Sequence, residues 1–179
     1  ADASHSEQIK WGNESVFNEE HNTLGLFSGV LGGQIVLAGG TSDDYSRWGR
    51  NAVCLSENAG FALYEDVLSK PLAYGASITL SDGILCIGGR DSSQCYEDVF
   101  FVTMQQGKLN VSEDWPPLPF PLSNAAGALL DNKVYLFGGR KSVSPSRLSD
   151  SFFVLDLSNK SRGWKELPGY PGCVREDAI

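Results

Sequence analysis

The sequence lacks several features that mark common functional classes. It has no run of about 18 apolar residues that would span a membrane. Its 14 basic residues stand against 22 acidic ones, which gives a formal charge of −8, and there is no run of lysine and arginine. Phosphate backbones and anionic lipid surfaces attract basic proteins. The composition therefore argues against nucleic-acid binding and predicts no membrane span.

Motifs for metals and cofactors are missing as well. The two histidines, His5 and His21, are too few and too close to the N-terminus for a metal site. The sequence has no glycine-rich phosphate loop and no nucleophile elbow. No two cysteines have the spacing of a zinc knuckle or a thioredoxin-type site. We therefore expect no metal, no cofactor and free thiols at all four cysteines, which are Cys54, Cys86, Cys95 and Cys173.

What the sequence does contain is an internal repeat of about fifty residues. Gly-Gly pairs at 39–40, 88–89 and 138–139 each end a short apolar segment, at spacings of 49 and 50 residues. A run of small residues and a tight turn precede each segment. Further apolar strands follow the second and third pairs, and Trp115 and Trp164 each stand shortly before a Leu-Pro pair. This order of strands, di-glycine and tryptophan is the kelch repeat, so we predict an all-β kelch-type β-propeller.

Each repeated feature has a structural purpose in such a fold. Blades converge on a crowded central channel, so the first strand of a blade favours Gly, Ala and Ser. The second and third strands lie between neighbouring blades and are apolar. A di-glycine allows the chain to turn where a side chain would collide with the next blade. The tryptophan covers the outer edge of one sheet against its neighbour.

The number of repeats predicts an incomplete ring. Blades are expected at about 24–72, 73–122 and 123–172, with 173–179 as the start of another. Propellers need at least about four blades, so about three of a probable six are present. Exposed blade faces need a covering partner. We expect that partner to be a second chain or a missing C-terminal half, or else self-association of this chain.

Four segments narrow the match to one family: 71–77 (PLAYGAS), 83–89 (GILCIGG), 122–128 (LSNAAGA) and 163–172 (GWKELPGYPG), the last followed by Arg175. Together they resemble the bacterial sialic acid mutarotases (N-acetylneuraminate epimerases), in particular their cyclically permuted branch. The resemblance runs from about residue 24 to 179 and is weakest across 41–70. It implies a six-bladed kelch propeller, a periplasmic or secreted location in the bacterial envelope, and interconversion of sialic acid anomers without a cofactor.

The topology of a four-stranded blade predicts where a site would lie. The connections between strands 2 and 3, and between strand 4 and the next strand 1, emerge on the same face, and sites built from loops collect there. Guanidinium groups bind carboxylates through two hydrogen bonds, so arginines on this face suit an anionic sugar. The alternative for Arg90 and Arg140 is a salt bridge between neighbouring blades. The polar residues expected on this face are Tyr74, Arg90, Asp91, Asn124, Arg140, Lys141, Arg175, Glu176 and Asp177, of which Tyr74, Arg90, Asn124 and Arg140 are our candidates for substrate binding.

Mutarotation requires a base that takes the anomeric hydroxyl proton and an acid that protonates the ring oxygen. The resemblance implies a Glu and an Arg near the channel for these roles. Arg175 and Glu176 are the nearest candidates in this chain, and the pair otherwise belongs to the missing half. The alternative function is a non-catalytic kelch module that binds a glycan or a protein.

Overall fold

Each fifty-residue repeat folds into one four-stranded antiparallel sheet, which confirms the predicted all-β architecture. The computed structural model describes residues 24–56 and 60–169. Blade 1 contains β1 (Phe27–Leu31), β2 (Gln34–Ala38), β3 (Ala52–Ser56) and β4 (Gly60–Tyr64). Blade 2 contains β5 (Ala76–Thr79), β6 (Ile84–Ile87), β7 (Val99–Gln105) and β8 (Lys108–Ser112). In both, the strands pair in chain order.

Blade 3 keeps the same order but carries additional elements. Its sheet is formed by β9 (Ala126–Leu130), β10 (Lys133–Phe137), β13 (Phe152–Asp156) and β14 (Lys165–Leu167). Between β10 and β13, the strands β11 (Arg140–Ser142) and β12 (Arg147–Leu148) form a small two-stranded ribbon. A 3-10 helix (Leu157–Arg162) connects β13 to β14. The ribbon thus lies in the connection that follows the third di-glycine.

The hairpins that join the first two strands have the tight turns that the repeat predicts. In blade 1 the two central residues are Gly32 and Gly33, with φ of +56° and +78°. In blade 3 they are Asp131 and Asn132, with φ of +47° and +59°. Two-residue hairpin loops favour positive φ at both positions because that matches the twist of the strands. The turns therefore fix the register, in which Leu31 pairs with Gln34 and Leu130 with Lys133.

Side chains that alternate between the two faces of the second and third strands form two hydrophobic cores, one on each face of blade 2. Ile84, Cys86 and Phe100 point towards blade 1 and belong to the first core. The intervening Leu85 and Ile87 belong to the second core, which blade 3 completes. Because successive side chains of a strand point to opposite faces, continuous apolar strands are what a sheet buried on both faces needs.

The first strands of neighbouring blades approach each other closely, as the small residues predict. Ser28 N donates to Ser77 Oγ at 3.1 Å, and Val30 N donates to Thr79 Oγ1 at 3.2 Å. A Cβ atom at Gly29 would come within 3.0 Å of side chains of blade 2. The inner edge of blade 1 is therefore hydrogen-bonded to side chains of blade 2.

The di-glycines have the predicted role at the junctions between blades. Gly39 and Gly88 both have positive φ, at +71° and +63°. A Cβ atom on Gly39 would collide with Leu72 O, and one on Gly88 would collide with Leu122 O. Both carbonyls lie on the segments that lead into the next blade, where Gly40 N and Gly89 N donate to them at 2.8 Å.

The two predicted tryptophans pack at the border between blades 2 and 3. The rings of Trp115 and Phe101 have their centroids 5.2 Å apart. Trp164 of blade 3 donates from Nε1 to Pro116 O, just after blade 2, at 3.0 Å. Both indoles contact the second core, as expected for residues that cover one sheet against the next.

The outward face of blade 1 is apolar and exposed. Val30, Ile35 and Phe61 lie in one cross-strand row of this face, and their exposed fractions are 51%, 49% and 49%. The equivalents of Ile35 and Leu37 one blade later, Ile84 and Cys86, are buried against blade 1. Blade 1 therefore presents a surface of the kind that a preceding blade would cover.

The three described cysteines, Cys54, Cys86 and Cys95, are free and buried. Burial raises the pKa of the Cys54 and Cys86 thiols. Cys173 lies outside the described residues. In the part of the chain that the structure describes, no helix is both long enough and apolar enough to cross a bilayer.

Candidate functional site

The predicted functional face begins with a repeated pair of backbone bridges. In blade 2, Ala73 N donates to Arg90 O at 2.9 Å, and Arg90 N donates to Ala73 O at 2.8 Å. In blade 3, Ser123 and Arg140 exchange the same two hydrogen bonds at 2.9 and 2.7 Å. Each bridge joins the residue after a di-glycine to the segment before the first strand of the same blade. Arg90 and Arg140 therefore occupy equivalent positions on one face, as predicted.

Tyr74 and Asn124 occupy a second repeated position beside these bridges. Both have positive φ, at +61° and +56°, as does their blade 1 equivalent, Gly25, at +64°. Tyr74 N donates to Gly25 O, and Asn124 N donates to Tyr74 O, each at 2.7 Å. The four described candidates for substrate binding thus lie on two adjacent, repeated positions at one end of blades 2 and 3. We call this end the rim.

The Arg90 guanidinium lies among three aromatic rings. Its central carbon is 4.7 Å from the ring centroid of Tyr74, 5.0 Å from that of Trp48 and 5.8 Å from that of Tyr45. These distances are within the range of cation–π attraction. Tyr45 and Trp48 belong to blade 1, so Arg90 reaches back over the loop of the preceding blade. We call Tyr45, Trp48 and Tyr74 the aromatic wall.

Arg90 forms no ion pair within the described residues, so the described part of the chain does not provide the salt bridge that was the alternative for this arginine. Ion pairs elsewhere in the described residues join Arg50 to Asp66 and Lys70 to Asp98. Arg90 Nη1 donates to Asp91 O at a long 3.4 Å, and the buried Nε has no hydrogen-bond partner. A guanidinium carries five N–H donors, so most of its capacity is not used by the described part of the protein.

Tyr45 and Trp48, which lie in the loop 42–48, were not among the residues predicted for the rim. Asp44 organises this loop: it accepts from Ser42 Oγ at 2.6 Å and from Ser46 N and Oγ at 3.0 and 2.8 Å. These hydrogen bonds, led by that from Ser42, lower the pKa of Asp44 to about 2. Trp48 Nε1 donates to Tyr45 O at 3.1 Å. The only signal for this loop was its aromatic residues in a region where the repeat is weakest.

Asp91, next to Arg90, is committed to its own loop. Its Oδ1 accepts from Ser93 N, Ser93 Oγ and Gln94 N, and its Oδ2 accepts from Tyr96 Oη at 2.6 Å. Partial burial alone would raise the pKa of Asp91, but the hydrogen bonds from Tyr96, Ser93 and Gln94 outweigh it and lower the pKa to about 2. A carboxylate with this pKa and these partners is a poor general base near neutral pH.

The remaining predicted rim residues divide into two groups. Lys141 is engaged in packing, because its Nζ lies 4.2 Å from the ring centroid of Phe120. Arg175, Glu176 and Asp177 lie outside the described residues, so their roles stay predictions. Within 24–56 and 60–169, no group of His, Cys, Asp and Glu side chains is arranged to hold a metal ion.

Comparison with known families identifies the repeat. A model of the Kelch motif matches residues 121–168, which cover the sheet of blade 3 and the segment leading into it. This part of the chain therefore carries a Kelch motif, and blades 1 and 2 repeat the order of strands in its sheet. In kelch blades, the rim described above gathers the loops that follow the di-glycines.

Individual proteins are similar to parts of this chain. An N-acetylneuraminate epimerase of Vibrio cholerae is 31% identical over 83 residues, which are 46% of this chain and 20% of that protein. One of Brucella suis is 33% identical over 72 residues, which are 40% of this chain and 17% of that protein. A Kelch domain-containing protein of Vibrio cholerae is 33% identical over 63 residues, which are 35% of this chain and 16% of that protein. The matched stretches thus span a fifth or less of these relatives.

Proposed function

We propose that this kelch chain contributes to the ligand-binding rim of a sialic acid mutarotase. The reaction would interconvert the anomers of N-acetylneuraminic acid, or of a related sugar, by acid- and base-assisted ring opening. The observation that carries the proposal is the Arg90 guanidinium, which lies at the rim without a carboxylate partner among the described residues. The partial similarity to N-acetylneuraminate epimerases supports the choice of sugar.

The chemistry of the ligand fits this rim. A sialic acid carries a carboxylate, and guanidinium binds a carboxylate through two parallel, charge-assisted hydrogen bonds. Arg90 would hold that group, with Arg140 at the equivalent position one blade further. Tyr74 and Asn124, on the neighbouring repeated position, would supply polar groups for the sugar hydroxyls.

Proton transfer has to come from other groups. Mutarotation moves a proton from the anomeric hydroxyl and delivers one to the ring oxygen, and no cofactor is needed for either transfer. Asp44 and Asp91, which are two of the carboxylates in the rim loops beside Arg90, both have a pKa of about 2, so neither suits this work. We propose Arg175 and Glu176 as the candidate pair, and with them a location in the bacterial envelope, on the family resemblance alone.

The experiment is exchange spectroscopy by NMR on the full-length protein with N-acetylneuraminate. We expect the protein to accelerate exchange between the two anomers above the rate in buffer. Replacing Glu176 with Gln should return the rate towards that of buffer while leaving binding intact, whereas Glu166→Gln, an exposed change on β14, should leave the rate unchanged. Exchange no faster than in buffer would remove the mutarotase proposal.

A second candidate function is a non-catalytic kelch module that binds a glycan or a protein. The match to a Kelch domain-containing protein and the exposed aromatic residue at the rim, Tyr45 at 49%, favour it. The same NMR experiment distinguishes the two functions. Line broadening or chemical-shift changes of the sugar without faster anomer exchange would indicate binding alone.

A further inference from the structure

We propose that loop 42–48 is a sugar-recognition element, in which the aromatic wall beside Arg90 binds the apolar face of an acidic pyranose whose carboxylate meets the Arg90 guanidinium. This inference rests on the proposed function for the choice of an acidic sugar. It specifies which part of the ligand the aromatic wall contacts. It also identifies Tyr45 as the residue that selects for a sugar ring.

The first argument is the geometry of the wall. The ring centroids of Tyr45, Trp48 and Tyr74 are separated by 6.4 to 6.5 Å in each pair. Tyr45 Oη and Tyr74 Oη lie 3.3 Å apart, which ties the loop of blade 1 to the rim of blade 2. Tyr45 is 49% exposed, while Trp48 and Tyr74 are half-buried. The wall therefore offers solvent mainly the ring of Tyr45.

The second argument is that the backbone is strained at this tyrosine. Tyr45 has φ of +59°, a conformation that is unusual for a bulky residue. The loop holds it there through Tyr45 N, which donates to Ser42 O at 3.0 Å, and through the hydrogen bonds of Asp44. Residues kept in such conformations by their surroundings cluster at ligand-binding sites. An exposed aromatic ring on a residue that the loop holds in a strained backbone conformation is therefore consistent with a ligand contact.

The third argument is that the loop departs from the repeat. A bridge joins Thr41 to Trp48 in blade 1, and the equivalent bridge joins Arg90 to Cys95 in blade 2. Six residues separate the bridged pair in blade 1, and four separate it in blade 2. The blade 2 loop contains no aromatic residue. Since blade 2 folds without them, Tyr45 and Trp48 are not required by the blade itself.

The chemistry of an acidic pyranose matches these groups. One edge of the sugar carries the carboxylate, and the C–H groups of a ring face are apolar. Aromatic side chains bind such surfaces through their faces while the tyrosine hydroxyl stays available for hydrogen bonds. A guanidinium beside an aromatic face therefore recognises the charge and the ring together, which separates acidic sugars from small carboxylates.

The test is titration calorimetry on the full-length protein with Tyr45→Ala, Tyr45→Phe and Arg90→Met. The probes are N-acetylneuraminate, its uncharged methyl ester, and pyruvate as a carboxylate without a sugar ring. We expect Tyr45→Ala to weaken binding of N-acetylneuraminate about tenfold and to weaken binding of the ester by a similar factor. The affinity for pyruvate should not change. Tyr45→Phe should retain most of the affinity for all three. Arg90→Met should weaken binding of the two carboxylates, N-acetylneuraminate and pyruvate, and leave the affinity for the ester unchanged.

The outcomes separate this inference from the mutarotase proposal. If Tyr45→Ala binds N-acetylneuraminate as tightly as the unchanged protein, the aromatic wall does not recognise the sugar ring. The same conclusion follows if the substitution weakens binding of pyruvate as much as binding of N-acetylneuraminate. Absence of any binding of N-acetylneuraminate by the unchanged protein also overturns the inference. If binding depends on Tyr45 while anomer exchange is no faster than in buffer, the wall stands and the mutarotase proposal fails.

Discussion

Replacing Gly88 with alanine tests how neighbouring blades are joined. Gly88 has φ of +63°, and a Cβ atom there would lie inside the 3.0 Å limit that real Cβ atoms keep, against Leu122 O. The carbonyl cannot simply move away, because it accepts a hydrogen bond from Gly89 N at 2.8 Å. Its residue, Leu122, is only 1% exposed and belongs to the second core. The new methyl group would therefore push on the packing between blades 2 and 3.

The expected cost has two parts. An alanine forced to adopt positive φ costs about 1–2 kcal/mol. Displacing the carbonyl weakens a hydrogen bond whose loss in a buried position costs about 1–3 kcal/mol. We therefore expect Gly88→Ala to lower the free energy of unfolding by about 3–4 kcal/mol, the middle of the combined range.

Gly107 provides a matched control. Its φ is +73°, close to that of Gly88, but a Cβ atom there would meet nothing within 4 Å. Gly107→Ala should therefore carry only the conformational cost of about 1–2 kcal/mol. The difference between the two variants isolates the collision with Leu122 O.

The measurement is urea unfolding of both variants and of the unchanged protein, followed by tryptophan fluorescence. Gly39→Ala is the equivalent change in blade 1, where the Cβ atom would meet Leu72 O, and it should resemble Gly88→Ala. Equal losses of stability for Gly88→Ala and Gly107→Ala would refute the steric explanation of the di-glycine.

Three further predictions concern association, the rim and pH. The 179-residue chain alone should self-associate through the apolar outward face of blade 1, and Phe61→Lys should reduce this; light scattering that shows a folded monomer of the unchanged chain would contradict it. Arg140→Ala should weaken binding of an acidic sugar by about ten- to a hundredfold in titration calorimetry, whereas Arg162→Ala, an exposed change on the 3-10 helix at the opposite end of blade 3, should change it little. A salt bridge alone would lower the melting temperature of Arg140→Ala without lowering affinity. Because the folded-state pKa of Asp91 is lowered to about 2, its contribution to stability is present above the unfolded-state pKa of about 3.9 and is lost as pH falls towards 2. After allowance for solvent screening, we expect the free energy of unfolding to fall by about 1 kcal/mol when it is measured as a function of pH in acid. If Asp91→Asn shows the same fall, the loss does not come from Asp91.

The repeat was predictable because each of its signals reflects a local requirement. Positive φ at a two-residue turn and a collision between blades both demand particular residues at fixed positions, and the chain supplies them every 49 or 50 residues. The outer strands of blade 1 were not predictable in the same way. The residues of β4 (Gly60–Tyr64) are largely exposed and apolar, so they show no alternation that separates a strand from a loop.

The positions of the candidate arginines followed from topology, but their partners did not. Arg90 could be placed on the rim because it follows a di-glycine. Its guanidinium, however, contacts Tyr45 and Trp48 of the preceding blade, at a distance along the chain that no short-range pattern encodes. The salt bridge considered for Arg90 assumed an acidic neighbour. In the structure, Asp43, Asp44 and Asp91 accept hydrogen bonds from their own loops.

The rim shows how a repeated backbone can carry chemistry that is not repeated. Gly25, Tyr74 and Asn124 share the same backbone conformation, and successive residues of this series are linked by equivalent hydrogen bonds. Their side chains differ completely: one has none, one is a phenol and one is an amide. The choices are coupled, because a Cβ atom on Gly25 would lie 2.8 Å from the ring of Tyr74. The absence of a side chain in blade 1 is therefore what allows Tyr74 to lean over that blade and meet Tyr45, so the aromatic wall depends on a glycine in one repeat as much as on the tyrosine in the next.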